Sequence, residues 1–418
     1  MSRSPIPARL TAGAPDRPGP GRADAIERTP IIVRTAFVST YPPRRCGIAT
    51  FTHDLSRASS GREVVALVSP ERGVPYPMEV HHRIRRDEPA DYISTARALS
   101  RCVDVVSIQH EYGIWGGDDG QSVLDFIHEL DMPAVATLHT VMRKPTKRQR
   151  EILIELTSVA EATVVMSRSA ATLLETSYGV DPRRVDVIPH GVPELPLVPS
   201  ESIKAAVGLV GRDVILSFGL LGQGKGYELA IDAMPEVVAA HPNACYVIVG
   251  ATHPDLIARE GEAYRESLVA RVKSLKMTDH VRFIDKFVGR VELTRWLEAA
   301  DVFVTPYPNL DQIVSGTLSY AMSAGRAIVS TPYAYAAELL AEGRGILVAP
   351  GSPAKFAAAL NRVLADAELR DAIGRRAYAH SRNMVWSEVG AEYRRLFERV
   401  AVPASVVART AGLATVHA

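Results

Sequence analysis

Short apolar runs alternate with helix-period segments along nearly the whole chain, in two successive series. In the first, strand-like runs at 31–39, 63–68, 103–109, 134–138, 162–166 and 185–188 alternate with helical stretches at 47–59, 91–101, 121–130, 147–159 and 169–178. In the second, runs at 214–218, 244–250, 281–284, 302–306, 327–330 and 345–348 alternate with helices at 227–240, 263–275, 291–300, 316–324 and 353–366. Such alternation places the strands in mostly parallel sheets covered by helices on both faces. The chain therefore reads as α/β, with two Rossmann-like doubly wound domains, 31–192 and 213–384, facing across a cleft. The connection at 193–212 carries Pro193, Pro196 and Pro199. A helix at 385–402 follows, with Trp386, Val389, Tyr393, Leu396 and Phe397 as an apolar stripe. Residues 1–30 read as a disordered arm and 403–418 as a loose tail.

Composition narrows the function. A net charge of +1 supplies no basic field for nucleic acid. No apolar run approaches the length of a membrane span, and the N-terminus lacks a signal-peptide pattern, so a cytoplasmic protein is expected. Cys46, Cys102 and Cys245 lie too far apart in sequence for a zinc pattern or a disulfide framework.

The richest local signal is SFGLLGQGKGYELAIDAM, residues 217–234. An apolar run stops at a loop with Gly219, Gly222, Gly224 and Gly226, and a helix begins near Tyr227. Free backbone N–H groups, the positive helix end and the Lys225 ammonium converge there, as a phosphate or diphosphate requires. The bland reading is a tight turn with a solvated lysine; the spacing is neither a Walker loop nor a dinucleotide fingerprint. A second cradle of this kind is expected where Ser315, Gly316 and Thr317 open a helix after the run 302–306. Its bland reading is an ordinary serine cap.

Three further features fall at expected strand ends or loops. His139 ends the run 134–138, and a lone histidine there is more often structural. His110 and Glu111, in QHEYGIWGG (109–117), read as lining an acceptor side; two adjacent residues lack metal-ligand geometry, so no metal is expected. The run from Arg143 to Arg150, with Lys144, Lys147 and Arg148, reads first as solvated loop charge and second as a peripheral contact with anionic membrane.

The colinear segments AFVSTYPPRRCGIATFTHDL (36–55), IPHGV (188–192), AADVFVTPY (299–307), AMSAGRAIVSTP (321–332), GILVAPGSP (345–353) and VWSEVGAEY (385–393) resemble glycosyltransferase family 4, of the GT-B fold. The resemblance implies transfer of a hexosyl group from a nucleotide-diphosphate sugar to a hydroxyl acceptor, with anomeric configuration retained and without metal or other cofactor. The acceptor is a saccharide, another small molecule or a lipid-linked one. It also implies that His139 contacts the donor sugar, and that the turn at Arg44, Arg45 and Gly47 faces the donor diphosphate.

The chain departs from the family at three positions. Leu220 stands where the family has an arginine, and Gln312 and Tyr320 stand where it has two glutamates. Arg45 is the expected substitute for the lost cation, Gln312 can still bond a sugar hydroxyl, and Tyr320 can offer a hydroxyl or stacking face to the nucleoside. Catalytic roles are thus expected of His139, Lys225 and Gln312. Donor binding is expected of Arg45, Gly47, Gly219, Lys225, Ser315, Gly316, Thr317 and Tyr320. Rival readings are a sugar phosphorylase, a nucleotide-sugar epimerase and a non-catalytic nucleotide-sugar binding protein.

Overall fold

The computed structural model describes Met1 and residues 33–60, 63–68 and 75–401. The expected tail at 403–418, and the arm at 1–30 apart from Met1, lie outside the described residues.

The chain forms two wholly parallel sheets. The first contains β1 (Thr35–Ser39), β2 (Glu63–Val68), β3 (Val80–Arg85), β4 (Val105–His110), β5 (Ala134–Leu138), β6 (Ala162–Val165) and β7 (Val185–Val187), in the order β3-β2-β1-β4-β5-β6-β7. The second contains β8 (Asp213–Phe218), β9 (Ala244–Val249), β10 (Val281–Ile284), β11 (Val302–Thr305), β12 (Ala327–Ser330) and β13 (Ile346–Leu347), in the order β10-β9-β8-β11-β12-β13. Every residue of β1, β4, β5, β9 and β11 is buried. Helices cover both faces of these strands, which is why they read as unbroken apolar runs.

Several elements escape sequence reading, among them the one-turn helix Glu201–Lys204 inside the expected connection. β3 (VHHRIR) is an edge strand that buries only Val80 and Ile84, so its apolar signal is two residues among cations. The helices Pro254–Glu260 and Ala334–Leu339 are too short to show a period. The helix Ala367–His380 buries Ile373, Gly374 and Ala377, a face too small-residued to register. A Cβ on Gly374 would lie 2.3 Å from the Gly325 carbonyl oxygen, so close approach sets that composition.

In each sheet the winding reverses once, between β1 and β4 and between β8 and β11. Open α/β sheets bind ligands outside the carboxyl ends of their strands at such a reversal. The chain passes between the sheets twice, and the two passes pair: Val192 N donates to Met384 O at 2.8 Å, and Trp386 N to Val192 O at 3.0 Å. The final helix, Trp386–Ala401, then packs on the first sheet and the Gly47–Ala58 helix. Phe37, Phe51, Leu55, Val389, Tyr393, Leu396 and Phe397 share one buried cluster, and Tyr393 Oη bonds Thr137 Oγ1 at 3.1 Å. Each such side chain contributes about 1.5–3 kcal/mol by burial. No described helix is long and apolar enough to cross a membrane.

Candidate active site

All four segments at the winding reversals carry sequence-identified residues. Arg45 and Gly47 follow β1, and His110 ends β4 with Glu111 next. Gly219 and Lys225 follow β8, and Ser315–Thr317 follow β11.

On the second sheet the two glycine-rich segments form one cradle. Gly219 leaves β8 at φ 132°, and a Cβ there would lie 3.4 Å from Thr317 Cγ2. Gly226 starts the helix Tyr227–Ala240 at φ 67°, and a Cβ there would lie 2.0 Å from the Pro306 carbonyl oxygen. Only glycine allows the Lys225 loop to lie this close to the end of β11. The Lys225 ammonium stands 4.5 Å from the Tyr307 ring centroid, and Tyr307 Oη bonds Thr317 Oγ1 at 2.9 Å. Ser315 caps the helix Gly316–Ser323, accepting from Leu318 N at 3.3 Å, and that helix has no acidic residue in its first turn. A lysine and an uncompensated helix start thus lie on either side of one tyrosine.

The first sheet contributes rings and cations. Cys46 Sγ caps the helix Gly47–Ala58, and no acid occupies its first turn. Arg45 is exposed and its side chain has no partner among the described residues. A Cβ on Gly47 would meet nothing within 4 Å. His139 is 8 % exposed. It meets Phe51 edge-on at 4.9 Å, and its Nε2 lies 2.9 Å from Gln109 Oε1. Gln109 Nε2 donates to Ser107 Oγ. With the amide in this orientation Oε1 accepts from His139 Nε2–H, which leaves Nδ1 as the acceptor nitrogen of the neutral ring. Burial, then the nearby His190 and His110, lowers the His139 pKa to about 3, so the ring is neutral at ordinary pH.

The acceptor-side expectation for His110 meets a different environment. His110 is wholly buried, with neither ring nitrogen hydrogen-bonded, so it lines no accessible surface. Burial lowers its pKa to about 4. The Glu111 carboxylate accepts from Gly113 N at 2.7 Å and so caps its own turn. Gln312 Nε2 donates to Val314 O at 2.8 Å, which ties the amide to its own loop. Tyr320 lies between the rings of His190 and Phe218, at 6.3 and 6.2 Å, and burial raises its pKa. A Cβ on Gly316 would lie 2.9 Å from His190 Nε2, so His190 closes on the helix start.

The two sheets are joined across the cleft by polar contacts. Asp54 pairs with Arg290. Arg143 pairs with Asp311 at 3.0 Å. Glu338 accepts from the backbone of Arg168 and Ser169 at 2.9 and 3.0 Å. The basic run is largely engaged: Lys147 and Arg148 lie near Glu151, and Arg150 bonds Ser177 O and stacks on Tyr178. Two cavities of about 390 and 270 Å³, beside His128 and Trp115, contain neither Lys225 nor Ser315. Sequence reading had missed Phe51, Asp54, Arg290 and Tyr307, none of which stands out by composition or spacing.

Comparison with known proteins places this chain in a family. Residues 46–194 match the Glycosyltransferase Family 4 model and residues 200–380 match Glycosyl transferases group 1. A D-inositol 3-phosphate glycosyltransferase from Jonesia denitrificans is 26% identical over 299 residues, 66% of this chain and 68% of its own. The lipopolysaccharide core mannosyltransferase LpcC of Rhizobium leguminosarum is 27% identical over 224 residues, 53% of this chain and 59% of its own. Among solved structures, Anabaena HepE in complex with UDP superposes with a TM-score of 0.72 at 15% identity, over 88% of this chain and all (100%) of its own. WaaG, a glycosyltransferase of lipopolysaccharide biosynthesis, superposes with a TM-score of 0.63 at 17% identity, over 87% and 99%. With both halves of the chain matched in order and two parallel sheets joined as in a GT-B fold, the chain belongs to glycosyltransferase family 4.

Proposed function

We propose that this protein transfers a hexosyl group from a nucleotide-diphosphate sugar to a hydroxyl acceptor, with retention and without a metal. The observation that carries the reading is the convergence of Lys225, Tyr307 and the Ser315–Thr317 helix start. As the bond from anomeric carbon to diphosphate breaks, negative charge grows on the leaving phosphate. Lys225, the free N–H groups at Gly316 and Thr317, and Arg45 from the opposite sheet would stabilise it. Removing one such group typically lowers the rate by about 10²–10³. Neutral His139, held by Gln109, would position the sugar, and the departing phosphate would take the acceptor proton. Closure of the cleft would keep water from competing. The UDP complex of HepE and the inositol phosphate named for the Jonesia protein support a nucleotide donor and a hydroxyl acceptor.

A second reading, a nucleotide-sugar binding protein without turnover, is favoured by Gln312 being tied to Val314 O where the family has a glutamate. The test is calorimetric titration of UDP, GDP and ADP sugars, followed by product analysis. Transfer lost in Lys225→Ala together with donor affinity supports the first reading. Binding without transfer or hydrolysis supports the second. Phosphate-dependent release of sugar phosphate, or isomerised donor as sole product, would show a phosphorylase or an epimerase instead.

A further inference from the structure

The Lys225 ammonium is held by a ring and not by a carboxylate. Among the described residues its one recorded partner is Tyr307, 4.5 Å from Nζ to the ring centroid, inside the ~6 Å range of cation–π attraction. Tyr307 is itself rigid. It is 4 % exposed, stacks on Tyr333 with centroids 5.1 Å apart and planes at 24°, and its carbonyl accepts from Thr331 Oγ1. Its hydroxyl reaches Thr317 Oγ1 at 2.9 Å. Gly226, against Pro306, brings the lysine loop down onto this ring.

The choice of an aromatic partner has a chemical consequence. A carboxylate beside Lys225 would cancel its charge before any ligand arrived. An aromatic face attracts the ammonium through its quadrupole and leaves the full positive charge for an anion. On the second sheet's side of the cradle the residue next to Gly219 is the neutral Leu220, so an anion held there depends on where the Lys225 charge is aimed.

We propose that Tyr307 is the positioning residue of the diphosphate site. Its ring aims the Lys225 ammonium, and its hydroxyl ties that aim to the helix start at Thr317. The inference rests on the diphosphate reading of Lys225 given above.

The test measures binding of UDP, GDP and ADP by calorimetry to the parent chain, Tyr307→Phe, Tyr307→Leu, Lys225→Gln and the Tyr307→Leu/Lys225→Gln double variant. The nucleotide that the parent binds best should bind Tyr307→Leu about 2–30-fold more weakly, the range expected for a lost cation–π contact. Tyr307→Phe should recover most of that loss, and Tyr307→Leu should have no further effect once Lys225 is Gln. An undiminished Leu effect in the Lys225→Gln background would make the ring merely structural and overturn the proposal, as would parent-like affinity in Tyr307→Leu. Parent-like affinity in Lys225→Gln, or no binding by the parent, would overturn the diphosphate reading itself. A measurement on the unaltered chain is independent of how the variants fold: the Lys225 ε-methylene protons should show an upfield ring-current shift, and its absence would also sink the proposal.

Discussion

Asp54, on the helix that follows β1, forms an ion pair with Arg290, at the start of the helix that follows β10. The carboxylate is 3% exposed and the guanidinium 53%. His53 Nδ1 lies 3.0 Å from the same carboxylate oxygen, and the other oxygen is buried and makes no hydrogen bond of ordinary geometry among the described residues. One buried charge on the first sheet is therefore answered from the second. Arg290→Ala is expected to lower stability by about 1–3 kcal/mol, because a buried acceptor loses its partner. Asp54→Asn added to Arg290→Ala should recover part of the loss, giving non-additive urea midpoints. Additive midpoints would show that the pair does not couple the sheets.

His110 and His139 make stability depend on pH in a defined direction. Their native pKa values, lowered to about 4 and about 3 by burial, lie below the ordinary histidine value of 6.5. Between the native and ordinary values the unfolded chain binds more protons, so stability rises with pH there. Stability is complete above about pH 6.5 and is lost progressively as pH falls towards 4 and then 3. Unfolding midpoints from pH 7 to 4 should fall, and His110→Phe should flatten the curve. An equal slope in that variant would refute the assignment.

His139 is expected to act on turnover and not on nucleotide affinity. With Nε2–H held by Gln109 Oε1, the ring can be directed only through Nδ1 and its faces. His139→Ala should lower turnover by about 10²-fold, the scale of a misplaced reacting group. Affinity for the free nucleoside diphosphate should stay near that of the parent. A parallel loss of diphosphate affinity would move His139 from the sugar to the phosphate side.

Gly226→Ala tests the approach of the lysine loop. At φ 67° an alanine carries a conformational cost of about 1–2 kcal/mol, and its Cβ would collide with the Pro306 oxygen. The loop must lift from β11, so both thermal stability and nucleotide affinity should fall. A drop in stability with affinity unchanged would separate the loop from the ligand.

The basic run is expected to serve the protein's own contacts. Arg143 joins Asp311 across the cleft, and Lys147, Arg148 and Arg150 have partners within the first sheet's helices. Sedimentation with vesicles rich in anionic lipid should therefore be the same for the parent and a variant with all five cations changed to Gln. Loss of vesicle binding in that variant would establish the membrane contact instead.

Much of the architecture was legible before any coordinates. β2, β5 and β12 begin and end where their apolar runs do, because a strand buried on both faces needs an unbroken apolar sequence. The Gly219–Gly226 loop and the Ser315 cap were legible for a local reason: tight approach and capping demand particular residue types within a few positions. β3 was not legible, since an edge strand with one solvated face is free to carry His81, Arg83 and Arg85. The Ala367–His380 helix was not, since close packing replaced large apolar residues with Gly374 and Ala377.

The sequence alone determined the fold class, the two-sheet plan and the glycine-rich and serine-capped loops, because each depends on periodicity or on residues adjacent in the chain. Which residues meet was decided by tertiary structure. Lys225 and Tyr307 are far apart in sequence, as are Asp54 and Arg290, and nothing local to either partner announces the other. His110 and His139 each stand at or just past a strand end, yet packing buried one completely and gave the other Gln109 and Phe51 as neighbours. Burial and cross-sheet pairing are properties of the assembled core, and they hold His110 and His139 neutral and place Lys225 over Tyr307.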